Sequence, residues 1–237
     1  MNVQASVEVF SGTAMAKVKT IKQNTLSVYK WKRLAKEALI NALRLHKDAV
    51  LLFEAGSYPS AYQISVLALE EFAKAKWVDH YYYSSVTNDG FPDAEFEQSW
   101  LKLLYLHSEK QFAFISYDLF EFTPELVKFI KSGQLERKKQ SAVYVGLGRG
   151  SKIIDVNSRI STPKSIKLID AKRMISWVNA EFIYIHKSIT VNSGNFGIAD
   201  LDEVILWKAN QFIFEWPYKS RIRSRNNRFA HLNAQTP

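Results

Sequence analysis

The residues that could carry chemistry fall into two groups. Near the end of the chain, Arg225-Asn226-Asn227-Arg228-Phe229-Ala230-His231 places five residues between an arginine and a histidine. An imidazole moves protons near neutral pH, and a guanidinium holds a phosphate in a bidentate fork while charge develops on its oxygens. Together they suffice, without a metal, for cleavage of RNA by its own 2′-hydroxyl. Arg225, His231 and the polar Asn226 are therefore candidate catalytic residues, with Arg221, Arg223, Arg228 and Arg137 as candidate contacts to RNA. The same residues fit a basic tail that only binds RNA or is solvated, because arginine recurs there at every second or third position. The histidine stands six residues from the end, where little chain follows to hold it rigid.

The second group is Glu71 with His107, each followed three residues later by a lysine, Lys74 and Lys110. Ala61, Ile64, Ala68, Ala75 and Val78 recur at three- and four-residue steps and draw one narrow apolar stripe along a helix, and Glu71 falls on it. Glu70 lies about a hundred degrees round and faces Lys74 as an ordinary exposed pair. A carboxylate on a packing stripe needs donors, since an unpaired buried charge is costly. His107 lies on the apolar face expected for the next helix. A carboxylate to imidazole hydrogen bond across a helical hairpin is the expectation, with Glu71 and His107 energetically coupled. Two readings stay open for Glu71, Lys74, His107 and Lys110: a buried polar site that fixes helix register, or an acid, base or orienting group. His46, His80 and His186 stand alone and read as structural or exposed.

Positioning these side chains falls to a series of helices. Apolar periodicity predicts a helix from Thr25 to Glu54, stopped by Gly56, and a second from Pro59 to about Ser85. Asn88, Asp89, Gly90 and Pro92 make a turn, and a third helix follows from Asp93 to Phe122. Thr123-Pro124-Glu125 combines a capping hydroxyl, a first-turn proline and a first-turn acid, which predicts a helix to about Lys139. From Ala142 to Val156, β-branched and aromatic residues flank Gly146, Gly148 and Gly150, a pattern that reads as a hairpin and lacks the spacing of a dinucleotide fingerprint. Ser161-Thr162-Pro163 opens a long helix to about Thr190, and a last helix runs from Leu201 to Glu215 before Pro217. The alternating strand and helix pattern of a parallel sheet is missing. The fold class is all-α, a helical bundle with a small β-hairpin insertion. Residues 1–24 form a poorly defined segment, 25–215 the helical domain and 216–237 a basic tail.

A net charge of +9 over 237 residues favours an acidic partner such as nucleic acid. The lack of cysteine excludes disulfides, thiolate metal sites and thiol nucleophiles. Walker, HExxH and GxSxG patterns and clustered metal ligands are missing as well, so neither metal nor cofactor is expected. No apolar run of about eighteen residues occurs, and the start of the chain has no long apolar region; a soluble cytoplasmic protein without a membrane partner is the expectation.

Three stretches taken in order resemble the AbiV-type HEPN family of bacterial abortive-infection proteins. They are Asn41 to Val78, with its Gly56 to Tyr58 turn and its Glu70-Glu71-x-x-Lys74; His107-x-x-Lys110; and Glu136-Arg137-Lys138 leading into Ala142-Val143-Tyr144-Val145. The resemblance covers about residues 35 to 190. It implies a HEPN-like helical bundle, homodimeric, acting in phage defence by shutting down translation. Many HEPN proteins are metal-independent endoribonucleases whose Arg-x(4–6)-His motif, often with a polar residue after the arginine, meets its symmetry mate across a dimer. Arg225, Asn226 and His231 fit that pattern, although they lie beyond the region of resemblance. The RNA would be tRNA, rRNA or mRNA, with a phage protein as a possible trigger. The alternative is a non-catalytic interaction protein that binds a phage polypeptide or the translation apparatus.

Overall fold

A computed structural model of the chain describes residues 25–88, 90–116, 121–149, 154–209 and 212–223. Its frame is a hairpin of two long helices, α1 (Val28–Glu54) and α2 (Tyr58–Thr87), which share the largest helix contact in the molecule. The Ser27 hydroxyl caps α1 by accepting from the Lys30 N–H. Gly56, at φ 75°, takes the left-handed conformation that turns the chain, and Pro59 sits in the first turn of α2, where no N–H is needed.

The expected third helix is two. After α3 (Ala94–Leu103) the N–H groups of Leu104, Tyr105 and Leu106 bond three residues back instead of four, and α4 (His107–Ser116) starts afresh. Leu104 is buried at this break while Tyr105 and Leu106 are turned outward. The expected fourth helix also divides, into α5 (Pro124–Lys131) and α6 (Gln134–Ser141), because Gly133 adopts φ 68° between them. The hairpin is present in minimal form: β1 (Gly148–Arg149) and β2 (Ile154–Asp155) pair antiparallel, Gly148 opposite Asp155 and Arg149 opposite Ile154. A short 3-10 turn at Pro163–Ser165 precedes α7 (Leu168–Asn192), where Asp170 accepts from the Lys167 N–H at the helix start. The last expected helix appears as α8 (Ala199–Val204), a π-helical stretch Ile205–Ala209 and α9 (Phe212–Glu215).

The architecture is all-α. α1, α4, α6 and α7 all pack on α2, which is therefore buried on several sides. The fully buried Phe72 ring of α2 meets Phe114 of α4 and Phe182 of α7 edge-on, with centroids 6.1 Å and 5.0 Å away, and so joins three helices through one side chain. His46 lies in the same core, its Nε2 2.8 Å from Asn179 Oδ1. Asn179 Nδ2 donates to the Ile213 carbonyl at 2.9 Å, so Oδ1 must accept and the His46 proton resides on Nε2. Burial pulls His46 down to about 4, against the opposing hydrogen bond it donates to Asn179.

Trp216, Ile222 and Arg223, at the start of the segment expected as a basic tail, are buried against the bundle. Trp216 Nε1 donates to Ser176 at 2.9 Å, and the Thr123 N–H donates to the Ile222 carbonyl at 2.8 Å. Among the described residues no helix is long and apolar enough to cross a membrane.

Candidate functional site

Glu70, midway along α2 and fully buried, is the hub of a cluster of charged and polar side chains. His107 Nδ1, at the first position of α4, donates to one carboxylate oxygen at 2.6 Å. Gln111, one turn further along α4, donates to the other at 2.8 Å, and Lys139 of α6 donates to that same oxygen at 2.7 Å. The Lys110 ammonium stands 3.7 Å away. Glu136 completes the cluster by accepting from Gln111 at 2.6 Å and pairing with Lys139 at 3.1 Å. Burial works against the Glu136 charge, yet hydrogen bonds from Gln140, Lys139 and Gln111 and the Lys139 charge hold its carboxyl below the usual range. The breaks at residues 104–106 and at Gly133 are what make this possible. The first turns the start of α4 onto Glu70, and the second re-aims the chain so that Lys139 enters the same interior.

His107 differs from its neighbours. Its side chain is 53% exposed while Glu70 is enclosed. A carboxylate accepting from Nδ1 fixes the proton there and leaves Nε2 as the ring's lone pair, with no hydrogen bond to it among the described residues. Chemically this is an oriented imidazole at a protein surface, backed by a buried carboxylate that two ammonium groups also meet.

The partner of His107 is thus Glu70, which corrects the expectation for Glu71. Glu71 is only partly buried, accepts from Lys74 at 2.8 Å and 3.0 Å, and takes a bond from Asn41 of α1 at 3.2 Å. The stripe through Ala68 and Ala75 faces α1. A second buried row, Tyr62, Val66, Glu70 and Ala73, runs at the same steps on the other side of α2, where α4 and α6 lie. Sequence reasoning missed Glu70, Gln111, Glu136 and Lys139. The signal for them was this second row, which a search for one narrow stripe overlooks. Lys110 does reach the cluster, whereas Lys74 belongs with Glu71.

A separate polar centre lies further along α2. Glu181 of α7, fully buried, accepts from Arg223 Nη2 at 2.7 Å and Nε at 3.2 Å and from Lys76 at 3.4 Å. Arg223 also pairs with Glu121 and covers the rings of Phe122 and Tyr184. Burial opposes the Glu181 charge, but Lys76 and Arg223 hold its carboxyl below the usual range. This places Arg223 in a buried clamp and not on the basic RNA-facing surface expected for it, because two carboxylates and two rings take up its guanidinium. Beside it a cavity of about 550 Å³ is lined by Lys76, Asp79 and Glu121 among others. Asp79 accepts from the Gly197 and Ile198 N–H groups, and burial raises it to about 6 against those bonds. Arg137 and Arg221 are exposed. Arg225, Asn226, Arg228 and His231 lie outside the described residues.

The three stretches that carried the resemblance in the sequence meet at one point: Glu70 from the first, His107 and Lys110 from the second, Glu136 and Lys139 at the third. No curated protein and no solved structure matches the chain. The family model HEPN_AbiV, described as AbiV, matches residues 30–181 and so includes every member of the Glu70 cluster. The chain belongs to the AbiV family of HEPN proteins.

Proposed function

We propose that the protein is an abortive-infection effector that cleaves RNA without a metal, with His107 as its proton-transferring group. The observation that carries this reading is the short bond from His107 Nδ1 to the buried Glu70, which holds an exposed imidazole with Nε2 outward. In the reaction Nε2 takes the proton of a ribose 2′-hydroxyl. The 2′-oxygen forms a bond to the adjacent phosphorus, the bond to the 5′-oxygen breaks, and that oxygen takes a proton from solvent. The products are a 2′,3′-cyclic phosphate and a 5′-hydroxyl. Glu70 is a positioning residue that stabilises the imidazolium as it forms, and Lys110 supplies positive charge toward the phosphate. Arg225, Asn226 and His231 are the second candidate set, read from the sequence pattern alone, and would act in the same chemistry on a homodimer seam.

The test is cleavage of tRNA and ribosomal RNA in EDTA by the wild type and by His107→Ala, Glu70→Gln, Arg225→Ala and His231→Ala. Loss in His107→Ala with retention in His231→Ala supports the Glu70 site. The reverse pattern moves the chemistry to the Arg225/His231 pair. A wild type inactive on RNA, both alone and in the presence of infected-cell extract, overturns the enzyme reading in favour of an interaction protein.

A further inference from the structure

Two exposed tyrosines stand in the chain close to members of the His107 cluster. Tyr105, two residues before His107, is 74% exposed, and Tyr144, five residues after Lys139, is 63% exposed. Neither hydroxyl has a hydrogen-bond partner among the described residues. Large aromatic side chains turned to water this close in the chain to one polar cluster require an explanation that scattered surface residues do not.

Their placement follows from the chain around the cluster. At the start of α4, His107 bonds one oxygen of Glu70, while Gln111 of α4 and Lys139 of α6 both bridge the other Glu70 oxygen and Glu136. The Tyr144 N–H bonds the Gln140 carbonyl at 2.9 Å, which keeps Tyr144 within a turn of the α6 end. Tyr105 sits in the tight turn that launches α4. Lys102, near the end of α3, adds exposed positive charge one turn before Tyr105.

We infer that Tyr105 and Tyr144 are base-stacking residues that hold two unpaired nucleotides of a single-stranded RNA segment on either side of the phosphate presented to His107. This rests on the reading of the Glu70 cluster as an RNA site. The physical basis is that an exposed tyrosine offers a flat apolar face to any splayed-out base, while bases stacked within a duplex have no free face to give. Positive charge near the rings grips the backbone without reading sequence. The site would accordingly choose loops and single strands over duplex, with little preference among bases.

The experiment is a fluorescence-anisotropy titration with a labelled, 2′-O-methylated single-stranded oligonucleotide, which binds but cannot be cleaved, against the same strand in duplex. Stacking by one aromatic ring corresponds to roughly 5- to 150-fold in affinity. Tyr105→Ala and Tyr144→Ala should each weaken single-strand binding by such a factor and leave duplex binding unchanged, whereas Tyr105→Phe and Tyr144→Phe should bind as the wild type does. Unchanged single-strand affinity in both alanine variants overturns the inference, as does equal loss for strand and duplex or a wild type that binds neither. Altered self-association with unchanged RNA affinity also overturns it and assigns the tyrosines to a protein contact. Because the probe cannot be cut, loss of cleavage in His107→Ala bears on the catalytic reading alone, and failure of the two readings is told apart.

Discussion

The carboxylate that meets His107 can be identified in solution by two double-mutant cycles that share one histidine substitution. Glu70→Ala removes the acceptor of three side-chain hydrogen bonds and leaves Lys139, with only 7% of its side chain exposed, dependent on Glu136. Breaking one partner out of such a buried ion cluster costs about 3–5 kcal/mol. His107→Ala removes one donor whose loss water can make good at the exposed side, so its cost is about 1 kcal/mol, below the range for fully buried charged hydrogen bonds. The two side chains touch, and their coupling should be about 1 kcal/mol. Glu71 bonds Lys74 and Asn41 instead, so the Glu71→Ala and His107→Ala effects should add to within about 0.5 kcal/mol. Urea unfolding of the five variants and the wild type, at a pH where the free imidazole is neutral, gives both couplings directly. Coupling in the Glu71 cycle and additivity in the Glu70 cycle would refute the arrangement described here and return the sequence-based pairing.

Two buried groups impose opposite pH dependences. His46, depressed from 6.5 to about 4, contributes stability that is present above 6.5 and lost as pH falls through 4, worth about 3 kcal/mol in all; His46→Gln should flatten the acid limb of a stability profile taken by urea unfolding. Asp79, raised from 3.8 to about 6, works the other way: its contribution is complete below 3.8 and is lost as pH rises through 6, again about 3 kcal/mol, so Asp79→Ala should remove a gain that the wild type shows between neutral pH and 5. Arg223→Ala should destabilise by about 3–5 kcal/mol, read as a fall in urea midpoint, because Glu181 stays buried with Lys76 alone. Arg223→Lys should recover little of it, since Glu181 is held through two guanidinium nitrogens and a lysine offers a single ammonium.

The helical class, the α1/α2 hairpin with its glycine turn, and the placement of His107 and Lys110 beside a carboxylate could all be read from residue order. These rest on local signals: capping, turn chemistry and a three- to four-residue period. The one-residue error between Glu70 and Glu71 has a different origin. A helix packed on one side shows one stripe, and its polar face is then reliably outside. α2 is packed by α1 on one side and by α4, α6 and α7 on others, so Tyr62, Ser65, Val66 and Phe72 are buried along with the alanines and periodicity no longer says which glutamate is inside. The breaks at Leu104 and Gly133 were hidden for a related reason. Neither contains proline, and a single glycine within a helical pattern is tolerated often enough that it does not by itself mark a left-handed turn. The burial of Arg223 was hidden by its neighbours, since Arg221 beside it is exposed and alternation within a basic segment looks like solvent.

What the Glu70 cluster is for bears on all of this. An interior built of two carboxylates and two ammonium groups is a poor device for stability, because desolvating the four charges takes back most of what their attraction gives and a well-packed apolar cluster of like volume does as well. Nor does register need it here, for Phe72 already ties α2 to α4 and α7 through an interlocked apolar contact. The member most open to water, His107, is the one whose side-chain type moves protons near neutral pH, and its ring is held by the enclosed Glu70. Lys139 and Lys110 then have a clear part. Lys139 bonds one oxygen of Glu70 at 2.7 Å and the Lys110 ammonium stands 3.7 Å from the other, so the carboxylate behind His107 is held in place by two positive neighbours. On the proposed reading, the charges deep in the cluster are the support of His107, and His107 is the point where the cluster acts.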